Sequence, residues 1–247
     1  MRKIFFLVLP AQAGISQYEA RDSHLRGNDE QLYYSYLCPF YFVSMQQIKN
    51  IIFDFGGVVL DIDFSATQKA FERLGVTDFE QYFTQHHVND LFERLETGAV
   101  SPEEFYDEFR RKTNLPLTDL QIENAWNAMM LHFSKERMNR LEEIGKKYNI
   151  YLFSNTNKIH ADAFDKLCRK EIGKSIKSFF IKTWYSHEIG MRKPYPASFL
   201  ALLKKENLRA DETLFIDDTV ENIDGARLAG LQTIHLTPPK TILDLPL

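Results

Sequence analysis

The chain has 247 residues, a net charge of −4 and 44% hydrophobic residues. That is enough apolar material for a packed core, and it argues against global disorder. The mild acidity points away from nucleic acid and from an anionic membrane as main partners.

Residues 1–44 form an appendage in this reading. Arg2-Lys3, the apolar run Ile4 to Leu9 and Ala11-Gln12-Ala13 loosely imitate a signal peptide, but the run is short for one. The aromatic stretch Tyr33 to Val43 is too short to span a bilayer. We expect an N-terminal extension, disordered or from a misassigned start. Export is the rival expectation, which N-terminal sequencing of the native protein separates. Cys38 and Cys168 are far apart and in no metal-type spacing. They fit a reducing, cytoplasmic compartment and inert packing.

Regular structure begins near Ile48. Ile51-Ile52-Phe53, ending in Asp54-Phe55-Gly56-Gly57, reads as a buried strand and a glycine turn. About a hundred mostly helical residues follow. Asp63 caps a helix with Phe64, Thr67, Phe71 and Leu74, ended by Gly75. Leu91, Phe92 and Leu95 mark another, stopped by Gly98. Ser101 to Glu104 is a capping box with proline at the first helical position, and Thr118 to Gln121 repeats the box. Ser134 opens a further helix carrying Met138, Leu141 and Ile144. Tyr151-Leu152-Phe153 before Ser154-Asn155-Thr156, and Thr213 to Ile216 before Asp217-Asp218, read as buried strands. More strands are expected near Phe179 to Thr183 and at Gln232 to Leu236. Strands alternating with helices predict an α/β fold with a parallel sheet. Residues 45–64 and 133–247 would form its core, and 65–132 a helical insertion.

In parallel α/β sheets, ligands bind at the carboxyl ends of strands. Three strands here end in polar residues: Asp54, Ser154-Asn155 and Asp217-Asp218. Each alone is commonly a cap or a turn former. Together they are harder to explain, because adjacent carboxylates after a buried strand repel unless a cation joins them to a neighbour. All-oxygen ligation suits Mg²⁺, which also binds substrate phosphate. Lys193 lies in Gly190-Met191-Arg192-Lys193-Pro194, where Pro194 and Pro196 keep the loop from starting a helix early.

The order Asp54, Ser154-Asn155, Lys193-Pro194, Asp217-Asp218 resembles the four motifs of the haloacid dehalogenase (HAD) superfamily. The stretches Phe53 to Val58, Val59 to Phe64, Ser154 to Asn157 and Gly190 to Pro194, and Asp217-Asp218 with Asn222-Ile223 and Gly225-Ala226, are similar to a bacterial subgroup of sugar-phosphate phosphatases acting on α-D-glucose 1-phosphate. The resemblance implies a Rossmann-like three-layer core with residues 65–132 as a C1 cap. It implies a Mg²⁺-dependent phosphatase acting on a small phosphorylated metabolite. In it, Asp54 would be the nucleophile and would form an aspartyl-phosphate. Asp54, the Gly56 carbonyl and Asp217 or Asp218 would hold the metal, with Asp218 favoured as the direct ligand. Ser154 and Asn155 would bind the phosphoryl group. Lys193 would stabilise its charge and orient Asp54, and Asn222 would support the metal site.

One position departs from the pattern. Most phosphatases of this superfamily carry an acid two residues after the nucleophile, and here that residue is Gly56. A sugar 1-phosphate, with its better leaving group, needs such an acid less, and Asp61 or Asp63 could relay a proton through water. His86-His87 are expected on a solvated surface. His160 and His187, beside the motif loops, are expected in core or surface roles, with substrate contact as the lesser alternative. The rival functions are a metal-free dehalogenase acting on carbon and an inactive HAD-fold binding protein.

Overall fold

The computed structural model describes residues 48–82 and 90–247. The expectations for residues 1–44, Cys38 and His86-His87 lie outside the described residues. Five strands form one parallel sheet: β1 (Asn50–Phe53), β4 (Asn149–Ser154), β5 (Lys182–Tyr185), β6 (Thr213–Asp217) and β7 (Gln232–His235). Their order is β5-β4-β1-β6-β7, so β1 lies at the centre between β4 and β6. The three strands that carry the polar ends are therefore adjacent.

Strand side chains alternate between faces, and the core divides accordingly. Ile51, Phe53, Ile150, Leu152, Leu214 and Ile216 face one side. There they meet α5 (Lys135–Gly145) through Met138 and Leu141, and α6 (Lys158–Ile172) through Phe164. Ile52, Tyr151, Phe153 and Phe215 face the other side. They meet Phe199 and Leu202 of α8 (Pro196–Lys205) and Ile223 and Ala226 of α9 (Val220–Leu228). Helix, sheet and helix make the three layers that the sequence predicts. The strand expected at Phe179 to Thr183 begins later. Ile176–Phe179 is a 3-10 turn, and β5 starts at Lys182.

The helical stretch has a hydrophobic cluster of its own. It contains α1 (Phe64–Arg73), α2 (Asp90–Glu96), α3 (Pro102–Thr113) and α4 (Asp119–Asn127). Phe71, Phe92, Phe105, Phe109 and Trp126 are fully buried within it. Asp63 caps α1 by accepting from the Ser65 N–H, and both expected capping boxes are formed. Absent from the sequence reading is the ribbon at its base. β2 (Leu60–Ile62) pairs antiparallel with β3 (Met130–Phe133). Such short segments carry almost no periodicity, so only the pairing reveals them. A short helix, α7 (Ser186–Ile189), follows β5 directly.

Candidate active site

Asp54 follows β1, and its N–H donates to the Ile216 carbonyl of β6 at 2.8 Å. That bond fixes the first carboxylate beside the strand that ends in Asp217. The chain then turns tightly. Val59 N–H and Leu60 N–H both donate to the Phe55 carbonyl, at 2.8 and 3.0 Å. Gly57 sits in this turn at φ +79°, where a side chain is strained. A Cβ there would lie 2.2 Å from Asp218 Oδ2, so glycine is also what lets Asp218 approach the turn.

Lys193 joins the motifs. Its side chain is 1% exposed, and its Nζ donates to Asp54 Oδ1 and, at 2.7 Å, to Asp217 Oδ2. Asp217 is itself fully buried. It also accepts from Asn222 Nδ2 at 3.0 Å and from the Thr219 N–H at 2.8 Å. One oxygen from each of Asp54, Asp217 and Asp218 lies within 4.8 Å of the others. Three carboxylates thus share one ammonium. Burial, reinforced by Asp217, raises the Asp54 carboxyl to about 8. The same two causes raise Asp218. For Lys193, burial alone would favour loss of its proton, but Asp217 and Asp54 outweigh burial and raise its pKa.

Asn155 follows β4 and faces Lys193. Among the described residues the Ser154 hydroxyl hydrogen-bonds only to the Asn155 carbonyl, at 3.4 Å. The next residue is pinned from β5's side: Ser186 Oγ accepts from the Thr156 N–H and donates to the Thr156 carbonyl. Asp54, Gly56, Ser154, Asn155, Lys193 and Asp218 all line one cavity of about 290 Å³. Asp217 lies behind that lining. The structure therefore brings every predicted site residue to one place, with Asp217 set apart by its full complement of donors.

Two expectations change. Asp61 and Asp63 do not line the cavity. Asp61 is paired with Arg137, and His132 Nε2 lies 3.0 Å away. Asp63 is spent on its helix cap. The alternation of β2 puts Leu60 and Ile62, not Asp61, on the cavity side. Gly56 has no acid near it from this ribbon, because its missing side chain would meet Ile62 Cδ1 at 2.9 Å. His160 takes the expected core position, buried and stacked on Trp126, and also lines the cavity, while His187 does not. Glu96, which with Asp90 and Glu93 reads from sequence as part of a solvated helix face, is instead buried and lines the cavity beside Arg192, which the sequence marks only as part of its loop. A helix-end Glu has no periodic signal to mark it, and the Arg192 side chain gains meaning only through that Glu.

Comparison with known proteins agrees with this geometry. The family described as haloacid dehalogenase-like hydrolase matches residues 48–230. A D-ribitol-5-phosphate phosphatase of Bacteroides thetaiotaomicron is 32% identical over 191 residues, 76% of this chain and 91% of the relative. A sesquiterpene phosphatase of Aspergillus oryzae is 27% identical, over 76% of this chain and 90% of its own. Among solved structures, a HAD family enzyme of B. thetaiotaomicron in complex with magnesium and inorganic phosphate superposes with a TM-score of 0.71 at 32% identity. The match covers 78% of this chain and 95% of that one. A predicted HAD-like hydrolase of Porphyromonas gingivalis gives 0.70 at 32% identity, covering 76% and 90%.

Proposed function

The chain belongs to the haloacid dehalogenase-like hydrolases, and from that premise we propose that it is a Mg²⁺-dependent phosphatase of a small sugar or polyol phosphate. The observation that carries the proposal is the sharing of Lys193 between Asp54 and Asp217, with Asp218 as a third carboxylate alongside. A dehalogenase acting on carbon needs no cation and gains nothing from that crowding. The donor set is all oxygen, and the one ammonium of Lys193 leaves its charge only partly compensated, which fits Mg²⁺. Asp54, Asp218 and the Gly56 carbonyl would hold the ion. The Asp217 oxygens already receive Lys193, Asn222 and Thr219, so Asp217 would act on the metal site by position. Bound Mg²⁺ would neutralise charge on the phosphoryl oxygens.

The chain's own groups divide the remaining work. Lys193 fixes Asp54 Oδ1, which leaves Oδ2 as the attacking oxygen. The Oδ2–P bond forms while the bond from phosphorus to the substrate oxygen breaks, giving an aspartyl-phosphate and the free alcohol once the leaving oxygen takes a proton from water. Water then cleaves the aspartyl-phosphate, releasing phosphate and restoring Asp54. Ser154 and the Asn155 backbone would hydrogen-bond the phosphoryl oxygens. Residues 65–132, with their separate hydrophobic cluster, would serve as the cap that excludes water. A cavity of about 290 Å³ suits a small substrate.

Within this class, two substrates are the sharpest candidates. Glucose 1-phosphate follows from Gly56, since an anomeric leaving group needs little protonation. Ribitol 5-phosphate is what the relative's name supports. The cysteine pattern supports a cytoplasmic protein, and no described helix is long and apolar enough to cross a membrane. A Mg²⁺-dependent screen over sugar and polyol phosphates, with Asp54→Asn as control and EDTA as a second arm, tests the proposal. We expect turnover that EDTA and Asp54→Asn abolish. EDTA-resistant turnover of a haloacid would favour the dehalogenase reading. No turnover of any phosphate would favour a binding protein.

A further inference from the structure

Three side chains that line the cavity, Glu96, Arg192 and His160, each carry a buried polar atom without a hydrogen-bond partner among the described residues. Glu96 is 6% exposed and ends α2. Its Oε2 is ion-paired with Arg192 Nη2 at 3.0 Å and accepts no aligned hydrogen bond from a described residue. Arg192 Nε, also buried, is likewise without an acceptor. Burial raises the Glu96 carboxyl even against Arg192, as expected for an incompletely paired acid. The placement is fixed by the backbone. Two residues on, Gly98 passes so close to α7 that a Cβ would lie 2.2 Å from the His187 carbonyl oxygen.

His160 supplies a second such atom from the sheet core. It is 9% exposed and stacks on Trp126 with ring centroids 4.6 Å apart. Its Nδ1 lies 2.8 Å from Asn127 Oδ1. With the Asn127 amide assigned in this orientation its oxygen is the acceptor, which assigns the ring proton to Nδ1. Burial holds the imidazole neutral, with a pKa near 3. Nε2 is then a bare lone pair, buried and without a partner.

Buried polar atoms are nearly always paired, and exceptions ask for an explanation. Here both incompletely satisfied acceptors belong to side chains that line one cavity. A phosphoryl group brings only acceptors at neutral pH, so it satisfies neither. A hydroxyl satisfies both, and its own oxygen can take the Arg192 N–H. An isoprenoid or alkyl chain would leave His160 Nε2 and Arg192 Nε unpaired and would offer Glu96 no second donor, which recognition sites penalise heavily.

We infer that Glu96 and His160 are specificity-determining residues that accept hydrogen bonds from hydroxyl groups on the non-phosphoryl part of the substrate. The inference rests on the phosphatase reading and selects polyhydroxylated phosphates over apolar ones within it. The test pairs substrates that differ in hydroxyls alone: ribitol 5-phosphate against n-pentyl phosphate, and glucose 1-phosphate against cyclohexyl phosphate. Wild type, Glu96→Gln and His160→Phe are compared with Mg²⁺ present. We expect wild type to favour the hydroxylated member of at least one pair by on the order of a hundredfold in kcat/KM. Each variant should lose at least tenfold on that member and less than twofold on its hydroxyl-free partner, which also reports that the variant is folded. Equal wild-type rates within both pairs would overturn the inference and leave the phosphatase standing, whether or not the variants fold. So would equal losses on both members of a pair. No turnover of any of the four by wild type would remove the phosphatase reading first, and this one with it.

Discussion

Asn155 and Lys193 hold each other through two reciprocal hydrogen bonds. Asn155 Nδ2 donates to the Lys193 carbonyl, and the Lys193 N–H donates to Asn155 Oδ1, each at 2.9 Å. The end of β4 is thereby locked to the loop that precedes α8. The Asn155 side chain is consumed in placing the ammonium, which leaves only its backbone for a phosphoryl group. Asn155→Ala should therefore act through Lys193. We expect kcat to fall by roughly tenfold to a hundredfold, the scale of a small misplacement of a catalytic group. Stability should fall by about 1–3 kcal/mol, as for a buried amide pair left unmade. Steady-state kinetics and chemical denaturation measure the two. An unchanged kcat would show that Lys193 does not need the clamp.

Lys193→Met removes the single cation between Asp54 and Asp217. Breaking a buried ion pair from one side costs about 3–5 kcal/mol, and loss of charge stabilisation costs on the order of 10²–10³ in kcat. Added Mg²⁺ should recover part of the lost stability but not the activity, because it can offset carboxylate charge without restoring the donor to Asp54 Oδ1. Thermal melting with and without Mg²⁺, beside a turnover assay, separates these effects.

The Asp54 carboxyl sets a pH dependence whose sign is opposite to that of an ion-paired surface acid. Its ordinary value of 3.8 is raised to about 8 by burial and by Asp217. The folded protein thus retains a proton that the unfolded chain releases. The stability tied to that proton is full below pH about 4 and is lost as the pH rises toward 8. Asp218 shifts in the same direction. A divalent cation replaces the proton, so Mg²⁺ should raise Tm more at pH 8 than at pH 5. Differential scanning calorimetry at the two pH values checks this. A larger increment at pH 5 would contradict the charge balance described for the site.

Gly57→Ala should loosen metal binding. The added Cβ meets Asp218 Oδ2 and sits at a positive φ. The backbone strain costs about 1 kcal/mol or more, and the displaced Asp218 no longer sits beside the turn. We expect the Mg²⁺ concentration for half-maximal activity to rise by roughly tenfold or more. A titration of activity against Mg²⁺ decides it.

Gly56→Asp tests the leaving-group reading. Its Cβ would press on Ile62 Cδ1, the movable end of a side chain that faces the cavity. If a missing acid limits turnover, the variant should gain on ribitol 5-phosphate, whose alkoxide leaves poorly, relative to glucose 1-phosphate. We expect a relative gain of on the order of tenfold to a hundredfold, the low end for a positioned general acid. Wild-type indifference to leaving group would show that Gly56 is not compensated in this way.

The sequence by itself determined the sheet and the ends of its central strands. Ile51 to Phe53, Tyr151 to Phe153 and Leu214 to Ile216 are apolar runs that only a doubly covered parallel sheet can bury. Once those strands are adjacent, Asp54, Ser154 and Asp217 must share an edge. Capping signals at Asp63, Ser101 and Thr118 were local, so they too were legible. Only the tertiary structure decided what depends on pairing across distance. It separated Asp217, saturated by three donors, from Asp218, which lines the cavity. It turned Asp61 away through the pleat of β2 and engaged it with Arg137. It brought Glu96 from a helix end and His160 from the core to one cavity wall. Those placements follow from packing between segments far apart in sequence, and hydrogen-bond satisfaction cannot be counted until the partners are in place.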